Sequence, residues 1–227
     1  MRARLLDAPA LDLAGQMALD EAVLDSGFDG TTLRLYRWTD GVSVHGATFG
    51  YSQRFEDAAV AAPGFALVRR STGGGVVLHD GDVTFSWVFP WPELAAPSLV
   101  YKDLHLAVHL GFKAAGVETR LWSPPGGAAP AGAACFPRPA TADLVSPDGR
   151  KVLGGALRRR RWTGLYQGSL RREALGVAEA VAARAILDGI AAKFRLDFRR
   201  EAAFPAELEA AGRLAEKYAS AAWNRRR

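Results

Sequence analysis

Arg69-Arg70-Ser71-Thr72-Gly73-Gly74-Gly75-Val76-Val77-Leu78-His79-Asp80 reads as the end of one strand, a glycine turn and the start of another strand. Ala66 to Arg70 leads in and Val76 to His79 leads out. Adjacent glycines let the backbone approach a ligand closely and turn through positive φ. Successive amides in such a turn form an anion-binding concavity, and neighbouring arginines add forked donors suited to phosphate or carboxylate. A bare triple glycine is equally a tight hairpin beside solvated charges. Here the flanking Arg-Arg-Ser-Thr and the His79-Asp80 pair favour a site that grips an anion.

Outward from this loop, Leu11 to Ser26 has a helical pattern, with Leu13, Met17 and Leu24 on one face and Gly27 and Gly30 closing it. Thr32 to Trp38, Val42 to Phe49 and Val83 to Phe89 read as strands. Pro90, Pro92 and Pro97 then break the pattern. Tyr101 to Ala115 reads as a helix with Leu104, Val108 and Leu110 on its apolar side and Gly116 as its C-cap residue. Ser123 to Arg138 is a loop rich in Pro, Gly and Ala that carries Cys135. Asp143 to Val145 and Lys151 to Leu157 are strands across a Pro147-Asp148-Gly149 turn, and Thr163 to Leu170 is another. Val177 to Phe194 and Ala206 to Trp223 are helical by composition. Strands first and helices later predict an α+β fold: a mixed, mainly antiparallel sheet flanked by helices, gathered on one face.

At 227 residues the chain reads as one domain over 1–227, with 49% apolar residues for a core. The surplus of 29 basic over 24 acidic residues, +5, favours an acidic partner or anionic substrate. A single cysteine excludes a disulfide framework and a Cys-rich zinc site. With no signal-peptide pattern and no apolar run of membrane length, a cytoplasmic protein without a membrane partner is expected. His105 and His109 stand at i, i+4, a metal-pair spacing, but no third ligand accompanies them and no metal site is expected. The run Arg158 to Arg161, with Arg171 and Arg172, is either a solvated strand edge or a dock for an acidic domain. Nucleic-acid binding is disfavoured as its use, because Trp162 is nearly alone among those arginines as an aromatic partner. Arg225 to Arg227 reads as a frayed tail.

A second constellation is Gly149-Arg150-Lys151-Val152-Leu153-Gly154-Gly155-Ala156. A lysine just after a tight turn, before glycines that leave space for a ligand, would neutralise charge developing on a carbonyl or phosphoryl oxygen. An isolated lysine is more commonly a surface residue, and Gly154 and Gly155 are what weaken that reading.

Together these stretches resemble the catalytic domain of lipoate–protein ligases and octanoyltransferases, which also includes the biotin ligases. Ala18-Leu19-Asp20-Glu21, Leu33-Arg34-Leu35-Tyr36-Arg37-Trp38, Gly50-Tyr51-Ser52-Gln53, Arg69 to Asp80, Asp143-Leu144-Val145 with Gly149 to Gly154, and Tyr166-Gln167-Gly168-Ser169-Leu170 follow the family's order over nearly the whole chain. The resemblance implies a fold like that of biotin–lipoate ligases and class II synthetases. It implies an enzyme that attaches lipoate or octanoate to a lysine of a lipoyl carrier protein, either a lipoyl domain or a glycine-cleavage H-type protein. By matching position Lys151 would contact the acyl carbonyl. Arg70, Ser71, Thr72, Gly73, Gly74, Gly75, His79 and Gly154 would form the substrate pocket, with Val76, Val77, Phe85 and Trp87 as an apolar slot.

Two mechanisms stay open. Gly75, the third glycine, leans toward ATP-dependent ligation through an acyl-adenylate, with ATP and Mg as cofactors. Cys135 stands where one octanoyltransferase branch carries an acyl-thioester nucleophile, which would make ATP unnecessary; a buried structural cysteine is its alternative. No accessory domain is expected after the catalytic one, so ligase chemistry would call for a separate accessory subunit. A non-catalytic carrier-binding relative is disfavoured by the presence of both the glycine loop and Lys151.

Overall fold

Residues 83–90 alternate between the two sides of a sheet, and this alternation divides the molecule. Val83, Phe85, Trp87 and Phe89 join one apolar cluster, while Val88 joins another. The computed structural model describes residues 1–39, 45–124 and 139–226. In chain order its elements are β1 (Ala3–Asp7), α1 (Leu13–Asp25), β2 (Thr31–Leu35), β3 (Gly46–Phe49), α2 (Phe55–Ala61), β4 (Ala66–Arg69), β5 (Val77–Leu78) and β6 (Val83–Pro90). They continue with α3 (Pro97–Ala114), β7 (Arg120–Leu121), β8 (Leu144–Val145), β9 (Lys151–Arg160), β10 (Thr163–Leu170), α4 (Glu179–Phe194), β11 (Phe198–Ala202), α5 (Pro205–Ala219) and α6 (Ala221–Asn224).

Eight strands form one sheet in the order β11-β1-β2-β6-β10-β9-β8-β7. Only β1 pairs in parallel, with β11 and β2; the other five pairings are antiparallel. A smaller sheet, β4-β3-β5, carries the glycine loop between β4 and β5. The expected mixed, mainly antiparallel α+β fold is therefore present. Its helices lie on both faces, which corrects the expectation of one. Leu104, Ala107 and Phe112 of α3 and Ala185 and Ile186 of α4 cover the Phe85–Trp87 side, while Leu19, Val23 and Leu24 of α1 and Ala211 of α5 lie against Val88 and Leu165 on the other.

Helices α3 and α4 cross at two glycines. A Cβ on Gly111 would stand 1.9 Å from the Ala185 carbonyl oxygen, and one on Gly189 2.1 Å from that of Ala107. The contact face is thus Leu104, Ala107, Val108 and Gly111, and Leu110, expected on it, is exposed. Pro97 does not break the chain but occupies the first turn of α3, where its missing N–H costs nothing. Gly116, at φ +72°, closes this helix as expected.

Three strands were not foreseen: the two-residue β7, and β1 and β11, which charge masks. β1 carries Arg4, fully buried against Glu207 of α5, and β11 is an edge strand with Arg199, Arg200 and Glu201. Arg225 and Arg226 of the arginine tail are not frayed, and Arg227 lies outside the described residues. Arg69 donates to the carbonyls of Trp223, Asn224 and Arg226 at 3.1, 2.8 and 3.1 Å, and Trp223 Nε1 returns a bond to the Arg69 carbonyl at 2.9 Å. Among the described residues no helix is long and apolar enough to cross a membrane.

Candidate active site

The glycine loop is held by its own arginine. Nη2 of Arg70 donates to the carbonyls of Gly73 and Gly75, both at 2.8 Å. Gly74 sits at φ +86°, a conformation that favours glycine. The turn after β3 lies directly against it: a Cβ on Gly50 would meet the Gly74 carbonyl oxygen at 1.9 Å, and the Tyr51 amide donates to the Thr72 carbonyl at 2.8 Å. The two arginines diverge. Arg69 turns to the C-terminal segment and to the carbonyls of Tyr51 and Gln53, so only Arg70 faces the site.

Between the small sheet and the α1 face of the large one lies a narrow slot. Met17, Val77 and Ala156 give it apolar walls, the backbone of Gly154, Gly155 and Gly168 lines it, and Arg70, Thr48, His79, Gln167 and Ser169 supply polar groups. Of the four apolar residues expected here only Val77 lines it. Phe85 and Trp87 point to the opposite face of the sheet, because their neighbours Thr84 and Ser86 take this one, and Val76 packs beneath the small sheet.

Lys151 stands at one end of this slot. The β8–β9 ladder shifts register beside it: Val145 pairs with Lys151, Leu144 with Leu153. Its buried side chain folds back under Gly154, where a Cβ would lie 2.5 Å from Cε and 2.6 Å from Nζ. Nζ contacts Asp143 Oδ2 at 2.8 Å. Asp143, completely buried, also accepts from the Tyr101 hydroxyl at 2.5 Å and the Ala140 amide at 2.7 Å. Burial, then the charge of Asp143, pushes the Tyr101 phenol well above its usual range, so it stays a donor to that carboxylate. His105 stacks on Tyr101 with ring centres 4.1 Å apart and bonds the Tyr166 hydroxyl at 2.7 Å. Burial lowers His105 to about 4. The histidine pair of α3 thus splits between roles: His109 bonds Thr119 at 2.8 Å. His105 is buried and His109 half-buried, and among the described residues no group of three or more potential ligands converges on a metal position.

On its other side Lys151 lines a wider, open cavity with Arg150, Arg171, Asp80, Pro139 and Glu173. Arg171 pairs with Asp80 at 2.7 Å. Asp80 is therefore not the partner of His79. That partner is Asp82, whose carboxylate lies 3.2 Å from His79 Nδ1 and accepts from Ser169 at 2.5 Å and Thr84 at 2.7 Å. Burial opposes ionisation of Asp82, and the His79 imidazole together with these hydroxyls outweighs it, holding the carboxyl below the usual range.

The sequence-predicted residues therefore separate. Arg70, His79 and Gly154 line the slot, with Lys151 adjoining Gly154. Gly73, Gly74 and Gly75 form the loop that Arg70 holds. Thr72 bonds the Gln167 side chain at 2.6 Å and Ser71 sits beside the Tyr218 hydroxyl, so both act in packing the loop. Cys135 lies outside the described residues. The arginine run disperses by strand alternation: Arg158 and Arg160 reach Glu21 and Asp25 of α1, and Arg159 lies over Trp91 and Trp162. Met17, Thr48, Asp82, Tyr101 and Ala156 were not foreseen; no local pattern marks residues that meet only across the two sheets. Asp143 was signalled by its place just before the lysine turn. The arrangement suits a narrow acyl chain in the slot, a carbonyl at Lys151 and a polar or anionic remainder in the open cavity.

A family model for the lipoyl protein ligase A/B catalytic domain matches residues 12–174. Octanoyltransferase LipM of Kyrpidia tusciae is 34% identical over 182 residues, 74% of this chain and 65% of its own length. Octanoyltransferase LipM of Staphylococcus aureus is 32% identical over 173 residues, 69% of this chain and 61% of its own. The chain thus matches less than two thirds of the length of these relatives. Among solved structures, lipoate-protein ligase A bound with ATP superposes with TM-score 0.78 at 24% identity over 99% of this chain and 98% of that one. Protein Ta0514 of T. acidophilum with bound lipoic acid gives 0.78 at 23% identity, with the same coverage of both chains. These two share the fold.

Proposed function

Because this chain belongs to the lipoyl protein ligase A/B catalytic-domain family, we propose that it is an acyltransferase moving an octanoyl group from a thioester donor to a lysine of a lipoyl carrier protein. The observation that carries this is the placing of Lys151 between a narrow, partly apolar slot and an open, arginine-bearing cavity, in a chain whose curated relatives are octanoyltransferases. Those relatives reverse the preference for ATP-dependent ligation read from Gly75.

In this reading each methylene seated in the slot contributes about 0.8 kcal/mol. Cys135 attacks the donor carbonyl as a thiolate, the donor thiol leaves, and an acyl-enzyme thioester remains. The neutral amine of the carrier lysine then attacks that thioester, forming the amide and returning the cysteine thiol. Lys151 stabilises the oxyanion in both steps, and Asp143 with Tyr101 keeps its ammonium in place. Pro139 lines the open cavity beside Lys151.

The test is incubation with an apo lipoyl domain and octanoyl-carrier protein without ATP, in parallel with octanoate or lipoate, ATP and magnesium, read by intact mass of enzyme and acceptor. Transfer without ATP, an octanoyl adduct lost in Cys135→Ala, and loss of transfer in Lys151→Ala are expected. Acylation only with ATP, unaffected by Cys135→Ala, would replace this reading with ligation.

A further inference from the structure

We propose that His79 and Asp82 are positioning residues: a buried hydrogen-bond chain that starts at the sheet and ends on the glycine loop, setting the loop's shape for the acyl donor. This rests on the reading of residues 69–80 as part of the acyl-donor site. The chain can be followed atom by atom. Ser169 of β10 and Thr84 of β6 donate to Asp82 at 2.5 and 2.7 Å. His79 Nδ1 faces the same carboxylate at 3.2 Å and therefore carries the proton. Nε2 of the same ring lies 3.0 Å from the Thr48 hydroxyl. Thr48 Oγ1 in turn accepts from Arg70 Nη1 at 3.0 Å, and Arg70 Nη2 holds the Gly73 and Gly75 carbonyls.

The carboxylate can only accept and the guanidinium can only donate, with His79 and Thr48 between them. Trp38 lies against the His79 ring with centres 4.6 Å apart, and Thr48 and His79 are buried. Carbonyl and amide of one trans peptide point in opposite directions. Fixing the Gly73 and Gly75 carbonyls on Arg70 therefore also fixes the orientation of the Gly74 and Val76 amides. An apolar filling of this space would stabilise the fold as well; what the polar chain adds is one defined arrangement of a loop that its glycines leave otherwise free.

Thr48→Val keeps the shape of the side chain and removes the hydroxyl, Asp82→Asn weakens the hold on Nδ1, and Thr48→Ser restores the link. Two readouts are taken on the full chain: amide hydrogen exchange of the peptide covering residues 70–77 without ligand, and kcat and KM for octanoyl transfer. Thr48→Val and Asp82→Asn are expected to speed exchange there, and to raise KM for the acyl donor, by about tenfold, the scale of one buried hydrogen bond lost, with a smaller change in kcat. Thr48→Ser should stay within about threefold of wild type, since its hydroxyl can refill the same place. Adding Thr48→Val to Arg70→Ala should change nothing further. Wild-type exchange and KM in folded Thr48→Val, or additive effects in the Arg70→Ala background, would overturn the proposal. If Thr48→Val does not fold, Asp82→Asn and His79→Gln are compared in its place by the same criteria. If the wild-type protein transfers no acyl group, the proposed function fails, while the exchange measurement still decides the role of the chain.

Discussion

Gly154→Ala separates the positioning of Lys151 from the stability of the fold. The added Cβ would stand 2.5 Å from Lys151 Cε and 2.6 Å from Nζ, whereas carbon contacts settle at about 3.5–4.0 Å. The amine end must therefore retreat by about 1 Å. That end is the flexible part of a long side chain, so the fold tolerates the move, and replacing a strand glycine gains roughly 0.5–1 kcal/mol in backbone entropy. Catalysis responds differently: a misplacement of about 1 Å costs about 100-fold in rate, equal to about 2.7 kcal/mol of barrier. Steady-state octanoyl transfer should show that fall in kcat, while the thermal midpoint stays within about 4 °C of wild type. Gly212→Ala, where an added Cβ meets nothing within 4 Å on an outer helix, controls for the generic effect of the substitution. A kcat within about threefold of wild type, a difference of under 1 kcal/mol, would refute the assignment of Lys151 as the group whose position limits the rate.

Two further perturbations address stability. Burial holds His105 to about 4 in the folded protein, against 6.5 for an ordinary histidine. The unfolded chain therefore binds more protons between these values, and stability, complete above 6.5, falls as pH drops toward 4, by about 3 kcal/mol at the lower end. Urea midpoints measured from pH 7 to 4 should show this slope, and His105→Gln should flatten it; an unchanged slope in the variant would assign the effect elsewhere. Arg4→Ala removes the partner of a Glu207 carboxylate that is 2% exposed and should cost about 3–5 kcal/mol, while Arg4→Met with Glu207→Leu should recover most of it by urea denaturation.

Residues 69–80 and 149–156 carried the candidate site in their own composition, since glycines beside arginine or lysine announce close backbone approach next to charge. The helical span of α1, the strands β6, β9 and β10 and the mixed, mainly antiparallel sheet were likewise legible, because long apolar periodicity is a local property. Strands β1 and β11 were not, since Arg4 is neutralised only by Glu207, about two hundred positions away in the chain, and no local pattern contains that partner. Tertiary structure alone decided that Arg69 serves the C-terminal segment while Arg70 serves the loop, that Asp82 rather than Asp80 is the partner of His79, and that Phe85 and Trp87 turn away from the slot. For the arginines and the aspartates, neighbours in sequence offered the same chemistry. The choice between them was made by strand alternation and by which buried charge lay within reach, which only the folded chain determines.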